Sequence, residues 1–502
     1  MATPEKSKQA KTEDKDTPKE HAPPKGAKRS FKWGGGGAKA SEYAAESDWI
    51  VLRKNEEPVA EMFYTAYLRK GAAPGTRPIT FVFNGGPGAA SAYLHVGALG
   101  PKRIRFEDNG DIPPPPMQLV DNEDSWLAFT DLIFVDPIGT GFSRTIKKPA
   151  DKDAKPEENK EFYQITRDLE SLGEFMQRCL SKYGRWSSPA FIAGESYGGF
   201  RVAKLARKLQ ESYGIGLNGA ILISPALEIN LLFGSDYDLH HWVDVFPSFA
   251  ASAWHHKKGL FAKKTMTLAQ ALELAEAFAT SELAKFYVGA GLMADKQKES
   301  VFKRYAELSG LDLDYVRRKD ARVSHVDFVR HVLRDERRVC GLYDTSITAF
   351  DPFPDRDSYQ GPEPTLFSID RVFCSGINSV LREWIGVESD RDYRLLNLEV
   401  NSAWQSDRKQ DAFEPPTGAT DDLRYGMSLN PHMQVFVTHG YFDLITPYFA
   451  SDRLVSLMKL SPEHRARVTL EHHAGGHMFY SWKKSRKDFT KSIAAFVKKA
   501  LP

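Results

Sequence analysis

Cysteine is scarce in this chain. Three occur in 502 residues, Cys179, Cys340 and Cys374, and so sparse and odd a number does not build a disulfide framework and fits a reducing compartment. No Asn-x-Ser/Thr sequon is present. No apolar run reaches the ~18 residues a membrane span needs. An excess of either charge is missing too. Lys+Arg number 68 against 66 Asp+Glu, for a formal net charge of +2, a near-balance that argues against a nucleic-acid groove as the main purpose. The first thirty residues, "MATPEKSKQAKTEDKDTPKEHAPPKGAKRS", have almost no large apolar side chain. Such a segment cannot bury enough surface to offset ordering entropy, so residues 1–40 are expected to form a disordered polar tail, with Gly34–Gly37 ending a flexible lead-in. The tail lacks the apolar h-region of a secretory signal. Together these absences lead to a cytoplasmic expectation, while export by an unusual route would leave no trace in the sequence.

What is present is an ordinary globular composition, 41% hydrophobic and 27% charged, long enough for one large domain with an insertion or for two to three domains. "DWIVLRK" and "AEMFYTAYLRK" flank the polar turn "NEEP" and predict a hairpin. "PITFVFNGGPG" and "TDLIFVDPIGTGFS" are continuous apolar strands that end in Gly-rich turns, as suits parallel strands buried on both faces. From Phe162, apolar residues recur at Ile165, Leu169, Leu172, Phe175, Met176, Cys179 and Leu180, the stripe of one helix. The strand "PAFIAG", the helix "SYGGFRVAKLARKLQESY" and the strand "GAILISPAL" follow. Strands alternating with helices predict a doubly wound α/β domain. The rhythm changes near residue 229 and resumes at "MQVFVTHG". The expected division is a core from 41–228, a helical cap insertion from 229–430, and the rest of the core from 431–502.

Gly194-Glu195-Ser196-Tyr197-Gly198 fits G-x-S-x-G between a buried strand and a helix, the setting of a nucleophile elbow. A serine hydroxyl needs a base to take its proton. That fold supplies the other members in the order acid, then histidine. Asp443 follows the strand "QVFVTHG", and His477 follows "RVTLEHH". Both fall at C-terminal strand ends, the edge where sites form in open α/β sheets. His439, His472 and His473 compete with His477, but no H-E-x-x-H or comparable ligand set accompanies them. Neither a metal nor any other cofactor is expected. Gly214 to Gly219 matches G-x-G-x-x-G but follows a helix and precedes a strand, the reverse of a dinucleotide loop.

The blocks "FNGGPGAASA", "SWLAFTDLIFVDPIGTGFS", "GESYGG", "THGYFDLITP" and "GGHM", spread in order from about Glu61 to Tyr480, resemble the serine carboxypeptidase family, the group containing carboxypeptidase Y and cathepsin A, in a bacterial-type form without structural disulfides. The resemblance implies an α/β-hydrolase fold with a helical cap, and removal of C-terminal residues from peptides with a free C-terminus. It assigns Ser196 as nucleophile, His477 as proton carrier and Asp443 as its orienting acid. It places the oxyanion hole at the backbone N–H groups of Gly86 and Tyr197. It gives Asn84 and Glu195 the task of holding the substrate's terminal carboxylate, with Glu195 sharing a proton with that group. Two positions depart from the family: Ala98 stands where many relatives carry a second Glu, and Ala89 where many have Cys. The first leaves the proton-sharing network smaller. An acyltransferase or esterase using the same triad, and a non-catalytic binding protein of the same fold, are the alternatives. Side-chain preference and oligomeric state are not legible in the sequence.

Overall fold

The structure is a computed structural model that describes residues 21–35, 39–73, 75–146, 160–356, 358–405 and 418–501. Its main sheet contains strands β1 (Ala27–Trp33), β2 (Ser41–Lys54), β3 (Glu57–Arg69), β4 (Ile79–Phe83), β5 (Asp131–Val135), β6 (Ala190–Glu195), β7 (Gly219–Ile223), β8 (Gln434–Gly440) and β9 (Val468–His473). They lie in the order β1-β2-β3-β5-β4-β6-β7-β8-β9, with the short strand Arg144–Thr145 paired to β3. The pairs from β1 to β5 are antiparallel. Every pair from β5 to β9 is parallel. The chain crosses over between parallel neighbours through helices, which makes this an α/β-hydrolase fold.

The continuous apolar runs have the reason their composition implies. In β6 and β7, Ala190, Ile192, Ala220 and Leu222 face one hydrophobic cluster while Phe191, Ala193, Ile221 and Ile223 face another. Successive side chains point to opposite faces, so a strand covered on both sides must be apolar throughout. Helices α1 (Ile165–Tyr183) and α2 (Tyr197–Ser212) cover the first face. The apolar stripe read in the sequence is the buried face of α1, which stops at Gly184 in a left-handed conformation. Helix α8 (Lys483–Ala500) covers the other face through Phe489, Ile493, Phe496 and Val497.

Above the C-terminal strand edge, α3 (His240–His255), α4 (Leu268–Phe278) and α5 (Asp295–Ser309) enclose a third cluster, which includes Phe246, Phe278, Tyr305, Phe328 and Leu444. This helical layer has narrower limits than the expected 229–430. Helix α6 (Pro364–Asn378) packs Ile369, Phe373 and Ile377 into the α8 side of the sheet. Helix α7 (Thr420–Leu429) puts Leu423 and Met427 against the α1/α2 side. An amphipathic pattern shows that a helix is half buried but does not name the surface that buries it.

The expected tail of residues 1–40 also needs correction. Residues 1–20 and 36–38 lie outside the described residues, but Ala27–Trp33 form edge strand β1, in register with Ser41–Ser47. Trp33 is buried and donates its indole N–H to Asn122 O at 3.0 Å, while Lys28 reaches Glu46 at 2.9 Å. Two aromatics two residues apart, Phe31 and Trp33, were enough to seat a short strand beside an existing one. The exposed lysines of β1 match the way sheet edges resist further pairing. Among the described residues no helix is long and apolar enough to cross a membrane.

Candidate active site

The turn from β6 into α2 carries Ser196 at φ 62° and ψ −124°, in left-handed backbone that a side chain rarely adopts. The turn is held from both sides. Ser196 N–H donates to Ile223 O on β7 at 2.9 Å, and Ser196 O accepts from Gly199 N at 2.9 Å and Ala226 N at 3.1 Å. A Cβ on Gly194 would run into the Gly198 carbonyl, so a glycine is required there for the turn to close.

Ser196 opens onto a cavity that it shares with His477, Glu195, Asn84, Gly86 and Ala89. The remaining wall is mainly apolar and includes Tyr93, Tyr343, Leu366, Leu396 and Met478. Tyr197, the other expected oxyanion donor, begins α2 directly after Ser196.

Asp443 and His477 come from the loops after β8 and β9, which are parallel neighbours. His477 Nδ1 lies 2.6 Å from Asp443 Oδ2, and both side chains are buried. Oδ1 of Asp443 accepts the N–H of Ile445 at 2.8 Å and of Thr446 at 3.1 Å. Burial disfavours the imidazolium, but the Asp443 carboxylate outweighs it, Glu195 adds to the attraction, and the His477 pKa is raised. With Nδ1 committed to Asp443, Nε2 is the nitrogen left for proton transfer.

The His477 loop is held by a segment of the helical layer. Tyr343 O accepts the His477 N–H at 2.6 Å, Asp344 Oδ2 accepts Gly476 N–H at 2.9 Å, and the Tyr343 ring meets the imidazole edge-on at 5.4 Å. A Cβ on Gly476 would collide with that Tyr343 carbonyl. The same segment reaches the Asp443 loop, where Thr345 N–H donates to Phe442 O at 3.0 Å and Leu444 N–H donates to Leu342 O at 3.1 Å.

Glu195 and Asn84 form a second pair in the cavity. Asn84 Nδ2 donates to Glu195 Oε1 at 3.0 Å, while Asn84 Oδ1 accepts Leu94 N–H at 3.1 Å and its carbonyl accepts Arg201 Nη1 at 2.9 Å. Glu195 is buried, and Tyr480 is its other hydrogen-bonding neighbour. Burial, with a smaller push from the Asp443 charge, raises the Glu195 pKa to about 7, against the pull of His477, Tyr480 and Asn84. A carboxyl poised there can be neutral at physiological pH and donate a hydrogen bond. Ala98 is buried with no polar group to offer, and its carbonyl accepts Asn122 Nδ2 at 2.6 Å.

The competing histidines are engaged elsewhere. His439 lies between Thr446 O (3.0 Å) and Ser451 Oγ (2.8 Å), His472 pairs with Asp452 at 2.9 Å, and His473 stacks on Phe479 at 4.9 Å. Among the described residues no group of three or more His, Cys, Asp or Glu could hold a metal ion. The Gly214–Gly219 run leads into the N-terminal end of β7, away from the cavity. Sequence reasoning missed Tyr343, Asp344 and Thr446. The first two come from an insertion without a motif. Thr446 could have been noticed, since Asp-x-x-Thr is a spacing at which a carboxylate and a hydroxyl meet across a turn.

The sequence model of the serine carboxypeptidase family matches residues 39–301. Among curated proteins, serine carboxypeptidase-like 13 of Arabidopsis thaliana is 31% identical over 187 residues, 36% of this chain and 40% of its own length. Serine carboxypeptidase-like 16 of the same plant is 30% identical over 206 residues, 39% of this chain and 42% of its own length. The chain thus spans less than half the length of these relatives. Among solved structures, a proline iminopeptidase of Mycobacterium smegmatis is similar over 90% of this chain and 98% of that one, at 14% identity and a TM-score of 0.37.

Proposed function

This chain belongs to the serine carboxypeptidase family and is a serine hydrolase, and we propose that it removes residues one at a time from the C-terminus of peptides, through an acyl-enzyme on Ser196. Ser196 Oγ attacks the scissile carbonyl. His477 Nε2 takes the hydroxyl proton and returns it to the leaving amine, while Asp443 stabilises the imidazolium that forms. The N–H groups of Gly86 and Tyr197 receive the oxyanion. Water then repeats the sequence on the ester and frees Ser196.

The observation that carries the exopeptidase reading is Glu195. Glu195 is a buried carboxyl lining the cavity that holds Ser196, and burial favours its neutral form. A substrate carboxylate is the ligand that would answer it, because a neutral Glu195 has a proton to donate while Asn84 holds Oε1. Two carboxyl groups at hydrogen-bond distance share one proton. The test compares a peptide with its C-terminal amide. The free acid is expected to be cleaved with kcat/KM about 10²-fold higher, the scale of losing a hydrogen bond to a charged group. Equal turnover of the two would favour an esterase or acyltransferase using the same triad.

The pH profile follows from the same pair. The reactive free enzyme needs neutral His477 and protonated Glu195, so one proton resides on the two groups together. The expected kcat/KM profile is a bell, whose limbs belong to the pair rather than to either residue. Glu195 is raised to about 7, so the clamp is lost as pH rises through that value. Glu195→Gln keeps a neutral donor at every pH. Its alkaline limb is expected to move up by about one pH unit or more, read from kcat/KM on the free-acid peptide. An unmoved limb would mean that Glu195 does not share its proton with substrate.

A further inference from the structure

Thr446 lies behind the Asp443–His477 pair, away from the cavity, and has more bonds than a turn residue needs. Its Oγ1 is 2.7 Å from Asp443 Oδ2, 3.0 Å from Ser224 O and 3.1 Å from His477 Nδ1. A hydroxyl has one proton to give. The carboxylate is the nearer acceptor and, being charged, makes the stronger bond. Oδ2 of Asp443 therefore receives two donors, the hydroxyl and the imidazole Nδ1–H, while Oδ1 receives two backbone N–H groups. Thr446 is itself fixed, because its carbonyl accepts from buried His439, whose other nitrogen meets Ser451 at 2.8 Å. Burial keeps His439 neutral, its pKa pushed well below the ordinary value, so this support does not titrate with the site.

We propose that Thr446 is a positioning residue, whose hydroxyl clamps the Asp443 carboxylate and, by competing for Oδ2, loosens the hold of that carboxylate on the His477 proton. The inference rests on the triad reading and deepens it. A carboxylate with four donors attracts the imidazolium less than one with three, so His477 releases its proton at lower pH and becomes a base sooner. The sign is opposite to that of a further acid, since the hydroxyl contributes no charge and only dilutes the charge His477 feels. The other groups facing the pair are Glu195 from β6, Tyr343 and Asp344 from the helical layer, His439 from β8, and Tyr480 beside Glu195. All remain when Thr446 is changed, so their influence cancels in a comparison of variants.

The test is the rate at which a fluorophosphonate labels Ser196 between pH 4 and 9, in the full chain and in Thr446→Val. This readout needs the nucleophile and base but no peptide carboxylate. Valine keeps the shape and removes the donor. The labelling midpoint is expected to rise by about 0.5–1 pH unit, and the rate at pH 6 to fall by about threefold to tenfold. Thr446→Ser keeps the donor and is expected to restore the wild-type midpoint. If Thr446→Val does not fold, Thr446→Cys, with only a weak S–H donor, takes its place with the same expected rise. A lower plateau or thermal midpoint with an unmoved pH midpoint would overturn the proposal and leave Thr446 as a packing residue. Wild-type chain that resists labelling at every pH would overturn the triad reading and this proposal with it.

Discussion

Ser196→Ala is expected to lower kcat by at least ~10³, while KM and thermal stability stay close to wild type. The side chain removed is small, and nothing in the turn depends on it. The turn is held by the backbone bonds of residue 196 to Ile223, Gly199 and Ala226, all of which alanine keeps. What is lost is the atom that becomes covalently acylated, and no other hydroxyl in the proposed mechanism replaces it. The remaining rate would come from the oxyanion donors and from substrate positioning. Ser196→Gly sharpens the test. Glycine adopts the φ of 62° without strain, so this variant is expected to be inactive and about 1 kcal/mol more stable than the wild type. Activity and stability moving in opposite directions would show that the turn stores strain for the nucleophile. Activity of Ser196→Ala above ~10⁻³ of wild type would exclude the assigned role.

Asp168→Ala is expected to cost about 3–5 kcal/mol of folding stability, measured by urea unfolding. Asp168 sits in the first turn of α1, and Arg201 sits on α2 with 1% of its surface exposed. Their side chains meet at 2.7 Å and 3.2 Å, and the remaining guanidinium nitrogen reaches the Asn84 carbonyl at 2.9 Å. Alanine leaves a cation in the core with no counter-charge, which is far more costly than the pair is favourable. Replacing both residues, as Asp168→Leu with Arg201→Met, removes the stranded charge and is expected to recover most of the stability. The double variant should still bind peptide less well, because Asn84 loses the bond that holds its backbone beside Glu195. A loss below about 1 kcal/mol for Asp168→Ala would mean that water reaches the pair.

The parts of the fold legible in the sequence were those whose burial follows from short-range pattern. The helix stripe from Ile165 to Leu180 and the unbroken apolar strands could be read because the faces they bury lie on elements whose period is fixed. The order of Ser196, Asp443 and His477 was legible because each follows a strand that ends at the same edge. What could not be read were partnerships across long sequence distances. β1 carries only Phe31 and Trp33 as inward anchors, too few to separate from a tail until β2 is beside it. The helices α6 and α7 have the same amphipathic look as those of the helical layer, and only contact shows that they cover the sheet. Tyr343 and Asp344 belong to no motif, since each contributes a single carbonyl or hydrogen bond placed by the fold, and Thr446, though inside "THGYFDLITP", acts through partners that follow other strands, which only the fold brings to it.

The segment around Tyr343 gives the helical layer a standing different from that of a cover. Its carbonyl receives the backbone of His477, its Asp344 carboxylate receives Gly476, and its Leu342 and Thr345 bond the loop that carries Asp443. His477 and Asp443, the proposed base and its acid, are therefore held at the seam of two cores rather than inside one. Exchanging the helical layer for that of another hydrolase would remove the acceptors along with the helices, so the insertion is not a module that can be swapped freely. The joint is expected to make the two cores unfold together, since melting the helical layer away from the sheet would break the bonds that hold the histidine loop. In this chain the helical layer and the proposed site are joined by the same hydrogen bonds.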